Sequence, residues 1–531
     1  MAEPSRQIEV QLGHLCNNRC VFCVSGQLSE QDRAPQLPES PIRRQIEAAR
    51  ADGATKITFL GGEPTIQASF LDFLELAVAL DFEEIVLFTN GVMTPRESFR
   101  ERVNRIIAGL GDRAAERVIW RFSLQGGTRE AHDETTVNPG AWDRIIESMA
   151  ILAGDGARLT GNMCVVSGNH ASVPHLAEVA KRYGLENLHL DMFRPRDSGD
   201  RTEAYLRDLM VAPYTDMATS FRELVAAVDT QIGSEFDLNI GNLPYCVAPD
   251  IAWRIHHDGE DTVTVAASGD GRTQTGFNEY LDKRVDKHKL PACSSCVFDA
   301  KCGGVFNLYA DIHGHDEFVP VTPDALWKLD TGGHHFTLLA TDGLARWAGS
   351  SAGRTVGRVD ERAGEIDVAV GLPGDAFWRL VVRAVGRKTE RVGWSSVRGA
   401  RIDVALVGTP PGCDAETVAT LNEAAAELAA SLGDVLPSWE LTALSAAATA
   451  ERSRLLAERA RLTEVRKRAT SMAVRLQNTT VGGLLLTSTT RSTDGKELAL
   501  QFEAGGRKLT LRLDLVPAAP ATRPRISHST V

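Results

Sequence analysis

Cys16, Cys20 and Cys23 stand on one short run, Cys16-Asn17-Asn18-Arg19-Cys20-Val21-Phe22-Cys23. Three thiols so close together can hold three corners of one iron–sulfur cluster. A four-iron cluster normally takes four thiolates. The missing local ligand leaves one iron open to an exchangeable partner, as catalytic metal sites keep a position open. A second group, Cys293, Cys296 and Cys302, has the spacing Cys-x2-Cys-x5-Cys, and Cys246 in Asn242-Leu243-Pro244-Tyr245-Cys246 supplies a fourth ligand. Four thiolates close a site, and spacing alone suits either an iron–sulfur cluster or a structural zinc ion. Cys164 and Cys413 have no partner at ligand spacing and read as structural, Cys164 as a small buried hydrophobe in a strand.

The elements that must position these thiols read as βα units. Strand candidates are Ile8 to Leu12, Lys56 to Leu60, Ile85 to Phe88, Val118 to Leu124, Leu159 to Val166 and Leu188 to Met192. Helices fit between them. One is expected to start at Ser40 as N-cap with Pro41 in its first turn, to bury Ile42, Ile46 and Ala49, and to stop at Asp52-Gly53. Others suit Phe70, Leu71, Leu74 and Val78, and the stretch Asp143 to Leu152. Such alternation predicts a parallel sheet, here a partial (β/α)6 barrel of TIM type, class α/β.

After successive strands come the cysteine loop, Gly61-Gly62-Glu63-Pro64, Thr89-Asn90-Gly91, Ser123-Leu124-Gln125-Gly126, Ser167-Gly168-Asn169 and Phe193-Arg194-Pro195-Arg196. In a barrel these loops meet at the C-terminal rim of the strands, where active sites are built. His14 beside the cysteine loop is read as packing or capping. Carboxylates near the pairs His313/His315 and His334-His335 are sparse, and these histidines are read as loop residues.

The βα pattern covers 1–235. A loop-rich, cysteine-bearing domain is expected over 236–317, a C-terminal α+β domain over 318–516, and a frayed Pro-, Ala- and Ser-rich tail over 517–531. In the third of these, strand-like runs are Phe336 to Ala340, Glu365 to Val370, Trp378 to Val385 and Ile402 to Val407. Helices are expected near 415–432 and over 440–477, the latter an amphipathic, Arg-rich stretch. Leu484 to Thr490 and Glu497 to Glu503 flank the hairpin signal Asp494-Gly495, and Lys508 to Leu515 can add a strand.

The chain has 531 residues, 43% hydrophobic and 24% charged, with a formal net charge of -12. That length predicts roughly three domains, and the composition is that of a globular protein. Apolar stretches such as Phe70 to Phe82 are broken by Asp72, Glu75 and Asp81, so no membrane span is expected, and neither is a secretory leader. A cytoplasmic location is therefore expected, where nine cysteines, seven of them grouped three and four, do not form a disulfide framework. The negative charge disfavours broad nucleic-acid binding.

The cysteine motif, with Phe22 before its last thiol, strongly resembles that of the radical S-adenosylmethionine (SAM) superfamily. Gly61-Gly62-Glu63-Pro64 matches the family's second motif residue by residue. The resemblance implies a 4Fe-4S cluster on Cys16, Cys20 and Cys23, whose open iron chelates SAM and whose electron cleaves it to a 5′-deoxyadenosyl radical that abstracts substrate hydrogen. It further implies that Gly61, Gly62, Glu63 and Pro64 hold the SAM ammonium group, and that Ser123 and Asn169 lie at SAM. Gln125 departs from the acidic residue common at its position, which leaves the ribose contact there open.

Cys246, Cys293, Cys296 and Cys302 resemble the auxiliary-cluster region of the SPASM and twitch subfamilies, the single-cluster twitch type being closer. An auxiliary 4Fe-4S cluster is thereby implied, as is a one-electron donor such as a flavodoxin or ferredoxin. The expected substrate is a peptide, as for a maturase. The alternatives are a small metabolite or cofactor precursor, or a non-enzymatic zinc-binding interaction protein. The resemblance covers about the first 315 residues.

Overall fold

The computed structural model describes residues 6–34, 37–257, 262–267, 273–277 and 282–330, then His334, His335, Leu338, Leu339, Trp347 and a series of strands between 355 and 530. The chain divides into two compact units, Met1–His335 with Thr389–Ser396, and Phe336–Lys388 with Val397–Val531.

The first unit is a curled parallel sheet covered by helices. Its strands are β1 (Arg6–Gln11), β2 (Ala54–Leu60), β3 (Glu84–Thr89), β4 (Val118–Ser123), β5 (Arg158–Val165), β6 (Asn187–Met192), β7 (Asp237–Gly241) and β8 (Ile255–His256), each parallel to the next. On the free side of β1, β9 (Thr262–Ala267) adds a parallel strand and β10 (Thr273–Phe277) an antiparallel one. The barrel is thus partial, as the βα pattern predicts, with pairing continued past the six expected strands on both sides.

The strands form because apolar residues alternate with polar ones. Ile8, Val10, Ile57, Phe59, Ile85, Leu87, Trp120 and Phe122 are buried on one face, against helices such as Glu39–Ala51, Phe70–Ala79 and Ala141–Gly154. The helix expected to begin after Ser40 begins two residues sooner, with Pro38 as N-cap. Pro38 presets φ for the turn, so Ser40 falls inside the helix. Ile42 and Ile46 are buried as expected, whereas Ala49 sits at the margin of that face.

Beyond the barrel, Lys287–His288 pairs antiparallel with Val305–Phe306, and the helix Asn307–His313 follows.

In the second unit, Glu365–Gly371, Phe377–Ala384 and Ala400–Leu406 lie where strands are predicted, in one sheet with Thr355–Arg362 and Trp439–Thr442. Trp439–Thr442 is a strand parallel to Ala400–Asp403 where the start of a long helix is expected. Its β-prone Trp and Thr prevail over the helical pattern that follows. Leu484–Arg491, Glu497–Ala504 and Arg507–Asp514 form an antiparallel meander. Ile526–Thr530, expected to fray, pairs with Leu509–Leu513. The edge of the preceding strand offers unpaired backbone groups to this Ser/Thr-rich run. Of the predicted strand Phe336 to Ala340 the structure describes Leu338 and Leu339, and these are helical rather than extended. The helices near 415–432 and beyond Thr442, and the turn Asp494-Gly495, lie outside the described residues.

Candidate functional site

The cysteine loop leaves β1 and ends at the helix Val24–Glu30, with Cys23 as its N-cap. Four regions fix it. The Gly62 and Glu63 amides donate to Gly13 O (2.7 Å) and Leu15 O (2.9 Å), and the amides of Arg19 and Val21 donate to Thr136 O (2.8 Å) and Thr135 O (3.0 Å). The Ser198 hydroxyl donates to Phe22 O at 2.8 Å and the Tyr205 hydroxyl to Val21 O at 3.0 Å. Inside the loop, Ser29 Oγ accepts from Cys16 N at 3.0 Å and donates to His14 O at 2.9 Å, while His14 Nδ1 hydrogen-bonds Ser25 Oγ. His14 is therefore a buried packing residue.

Gly62 has a steric reason to be glycine. A Cβ there would lie 2.3 Å from Leu15 O and 2.5 Å from His14 O. The backbone that approaches Gly62 so closely is that of the cysteine loop itself.

All three loop cysteines open onto one cavity of about 900 Å³ at the C-terminal ends of the strands and down into the barrel. Gly61, Gly62, Glu63, Ser123 and Gln125 share its lining. Glu63 is buried, and its carboxylate accepts from Thr65 N (3.1 Å), Thr65 Oγ1 (2.5 Å), Thr89 Oγ1 (2.7 Å) and Asn90 N (2.7 Å). Burial pushes its carboxyl up from the ordinary range and these donors oppose the rise. Three of the four bonds fall on Oε1, so Oε2 keeps an acceptor direction for a ligand. Asn90 Nδ2 in turn donates to Asn17 Oδ1 at 2.7 Å. Glu63 thus ties the end of β3 to the motif after β2 and, through Asn90, to the cysteine loop.

Burial, then the Glu63 carboxylate, pushes the Cys16 thiol up to about 12, and burial with the neighbouring cysteines raises Cys20 well above its ordinary value. Such thiols ionise only in exchange for a cation, which is how a metal or cluster site is filled. An amide from Asn18 points at Cys16 Sγ at 3.4 Å. The donor set and its setting fit a three-thiolate cluster site.

Ser123 Oγ accepts from Gln125 Nε2 at 2.6 Å, and Gln125 Oε1 accepts from the Cys164 amide at 3.0 Å. Asn169 is fully buried and outside the cavity lining; its Oδ1 accepts from Val166 N (2.9 Å) and its Nδ2 donates to Gln125 O (3.1 Å) and Cys164 O (2.9 Å). It staples the loops after β4 and β5 to each other. Pro64, also outside the lining, starts the turn Pro64–Ile66 beneath Glu63. Cys164, read as structural, lines the cavity. Thr160, Asn162 and Cys164 alternate with Leu159, Gly161, Met163 and Val165 along β5, and that period of two carries the signal.

The inner wall carries many polar side chains, Gln7, Glu9 and Gln11 on β1, Arg121 and Ser123 on β4, His189 and Asp191 on β6, Asp237 and Asn239 on β7, beside apolar ones such as Leu60, Phe88 and Ile119. Barrel interiors are ordinarily filled by bulky branched side chains. Here they surround an open space. Asp191 is paired with Lys283 Nζ at 2.6 Å and accepts from Asn242 Nδ2 at 2.6 Å. Despite the desolvation that opposes it, Lys283 and these donors hold the Asp191 carboxyl well below the usual range. Burial, with His256 beside it, lowers His189 to about 3, so its ring is neutral at physiological pH.

The segment carrying Lys283 is latched to the rim by Arg194. Its guanidinium meets the carboxylates of Asp282 (3.1 Å), Asp286 (3.1 Å) and Asp197 (3.4 Å). Sequence reading singled out the loop containing Arg194 but neither this latch nor Asp191 and Lys283. Asp197 apart, the partners lie 88 to 92 residues away in the chain, and no local signal announces them.

Cys246, Cys293, Cys296 and Cys302 approach one another outside this cavity, near enough for the last three to bear electrostatically on Cys246, whose thiol is pushed up to about 12, mainly by burial. The Gly304 amide points at Cys302 Sγ and the Val321 amide at Cys296 Sγ, both at 3.4 Å. Phe298 stacks on Tyr245 at 4.8 Å. Amide donors aimed at sulfur suit thiolates and tune clusters. Among the described residues, no three His, Cys, Asp or Glu side chains converge on a point that could hold one metal ion. The same four thiolates suit a structural zinc ion as well as a cluster. His313 Nε2 is hydrogen-bonded to Met210 O, His315 meets His288, and His334 stacks on Trp253.

Residues 10–180 match the family model of the radical SAM superfamily. With the partial barrel and the cysteine loop on β1, that segment is a radical SAM domain. Over 86 residues, 16% of this chain and 26% of the relative, the chain is 36% identical to a GTP 3',8-cyclase of Actinobacillus succinogenes. Over 203 residues it is 24% identical to an AdoMet-dependent heme synthase of Methanosarcina barkeri, covering 38% of this chain and 55% of the relative. The chain thus spans about a quarter to just over half the length of these curated relatives. Among solved structures, Streptococcus suis SuiB bound to precursor peptide SuiA is similar with a TM-score of 0.40 and 14% identity, covering 60% of this chain and 75% of that one. Among the described residues no helix is long and apolar enough to cross a membrane.

Proposed function

We propose that the protein is a radical SAM enzyme with Cys16, Cys20 and Cys23 as ligands of its catalytic 4Fe-4S cluster and with Cys246, Cys293, Cys296 and Cys302 as ligands of an auxiliary one. The observation that carries the reading is the meeting of the three loop thiols and the Gly61-Gly62-Glu63 motif in one cavity at the C-terminal ends of the strands. When bound and reduced by a flavodoxin- or ferredoxin-type donor, the cluster supplies the electron that splits SAM and so the carbon radical that takes a hydrogen atom from substrate. Glu63 and the backbone around it hold the amino end of SAM. Ser123 flanks its path into the barrel, and Asn169 positions the Gln125 and Cys164 loops from behind. The neutral His189 and the Asp191–Lys283 pair present substrate with a polar wall.

The substrate is a polar group presented by a peptide, in keeping with the SPASM/twitch-like second cysteine set. A small metabolite is the second reading. A cavity of about 900 Å³ has room for a whole one, and two relatives bear the names of a nucleotide cyclase and a heme synthase.

Anaerobically reconstituted protein is expected to hold about eight irons and eight sulfides and, once reduced, to release 5′-deoxyadenosine and methionine from SAM. Cys20→Ala should abolish that release, and replacing Cys16, Cys20 and Cys23 together by Ala should halve the iron. Full iron in the triple variant would overturn the ligand assignment.

A further inference from the structure

Arg194 and Lys283 at the rim are paired with carboxylates, but one cation inside the barrel is not. Arg121 lies midway along β4, its side chain on the cavity wall. It sits over the ring of its register neighbour Phe88, 5.8 Å from the centroid. Among the described residues no carboxylate pairs with it and no hydrogen bond engages it. Four of the lining carboxylates are committed elsewhere: Glu84 to Lys56 and Arg158, Glu186 to Arg158, Asp191 to Lys283, Asp282 to Arg194. A guanidinium is charged at any working pH, and holding one partly out of water without a counter-charge is costly. One strand away, Asn162 stands at the register position next to Ser123 and lines the same wall. Its amide makes no hydrogen bond to the described residues.

We propose that Arg121 and Asn162 form an anion site within the barrel that binds a carboxylate of the substrate. The inference rests on reading the cavity as the substrate site and adds what its occupant must carry. A carboxylate matches the guanidinium fork in two parallel hydrogen bonds, and the Asn162 amide adds a neutral donor. One unpaired positive charge balances a monoanion. A phosphate would bring a second negative charge that this single guanidinium does not balance. The carboxylate can belong to a free acid or to an acidic side chain of a peptide; the chemistry at Arg121 is the same.

The test is labelling of the full-length reconstituted protein with phenylglyoxal, which attacks accessible guanidiniums, followed by peptide mass mapping. Arg121 should be modified several-fold faster than Arg194 and Arg254, which are ion-paired and almost wholly buried. Glutarate, and separately a capped tripeptide with a central Glu, should slow labelling of Arg121 several-fold at constant ionic strength while leaving the exposed Arg113 unchanged. Stronger protection by the tripeptide assigns the site to a peptide, and stronger protection by glutarate to a free acid. Asn162→Ala should weaken the protection without altering the rate of unprotected labelling.

Labelling of Arg121 no faster than Arg194, no protection by either carboxylate, or better protection by inorganic phosphate would overturn the proposal. Reductive SAM cleavage by the wild-type protein is measured separately. Its absence would defeat the functional reading while leaving the anion site to be judged on labelling alone.

Discussion

Glu63 shows how one side chain can serve architecture and ligand at once. The motif match assigns it to the SAM ammonium group, and its four protein hydrogen bonds come from Thr65, Thr89 and Asn90. Glu63→Ala would strand the Thr89 hydroxyl and the Asn90 amide in a buried place, at roughly 1–3 kcal/mol per unsatisfied group. The expected outcome is a lowered melting temperature together with a SAM affinity at least several-fold weaker by calorimetry, while cluster absorbance is retained. Unchanged affinity in a destabilised variant would reduce Glu63 to a bracket between β2 and β3. The same local view separates what the residues reveal. The cysteine triplet and Gly-Gly-Glu-Pro are legible because their chemistry demands fixed spacing on one loop. Asn169 carries a polar side chain at the expected place, yet its amide is consumed by backbone groups of Val166, Gln125 and Cys164. Sequence cannot tell a buried staple from a ligand contact when both need an amide.

At the scale of elements, the repeated βα units made the barrel readable. Polar residues on β1, β4, β5, β6 and β7 fall at every second position, an unusual pattern for parallel strands covered on both faces. That pattern already implies an open, wet interior and places Cys164 and Arg121 on its wall. What sequence withheld are contacts set by chain return: the Arg194 latch, the Asp191–Lys283 pair, and the strands β7 to β10 that extend the sheet. These depend on residues far apart in the chain, each unremarkable alone. Loop-on-loop packing is equally hidden, and Gly62 gives it a sharp test. Gly62→Ala would drive a methyl group to 2.3 Å from Leu15 O, so the two loops must separate. A cost of about 1–3 kcal/mol follows from overpacking, and the cysteine loop should lose its grip on the cluster. Iron and sulfide content should fall by about half on reconstitution, with the auxiliary site still filled. Full loading in Gly62→Ala would show that the loops can part without disturbing the thiols.

At the scale of the whole first unit, the two cysteine groups belong to one compact body but are held by different scaffolds. The first loop takes its hydrogen bonds from the Gly13 and Gly62 backbone, from Thr135, Thr136 and Asn138, and from Ser198 and Tyr205; among the described residues none comes from 246–302. The second group sits on short turns, Tyr245–Val247 and Pro291–Ser295, and on a two-stranded pairing of four residues. Turns of this kind bury little apolar surface of their own, so ligand binding should supply much of their folding energy. Replacing Cys293 and Cys296 together by Ala should therefore leave about four irons per chain and expose 246–302 to limited proteolysis. Slow SAM cleavage without substrate should persist, because its thiols keep every anchor. Turnover of the native substrate should fail, since Lys283 and Asp282 reach the cavity from the segment that leads directly into these turns, with the Arg194 latch and the Asp191–Lys283 pair left to hold it. Anaerobic SAM-cleavage assays, iron analysis and protease mapping of the double variant decide the matter. Lost cleavage with four irons retained, or unchanged protease resistance across 246–302, would mean that the two cysteine groups stabilise a single indivisible site.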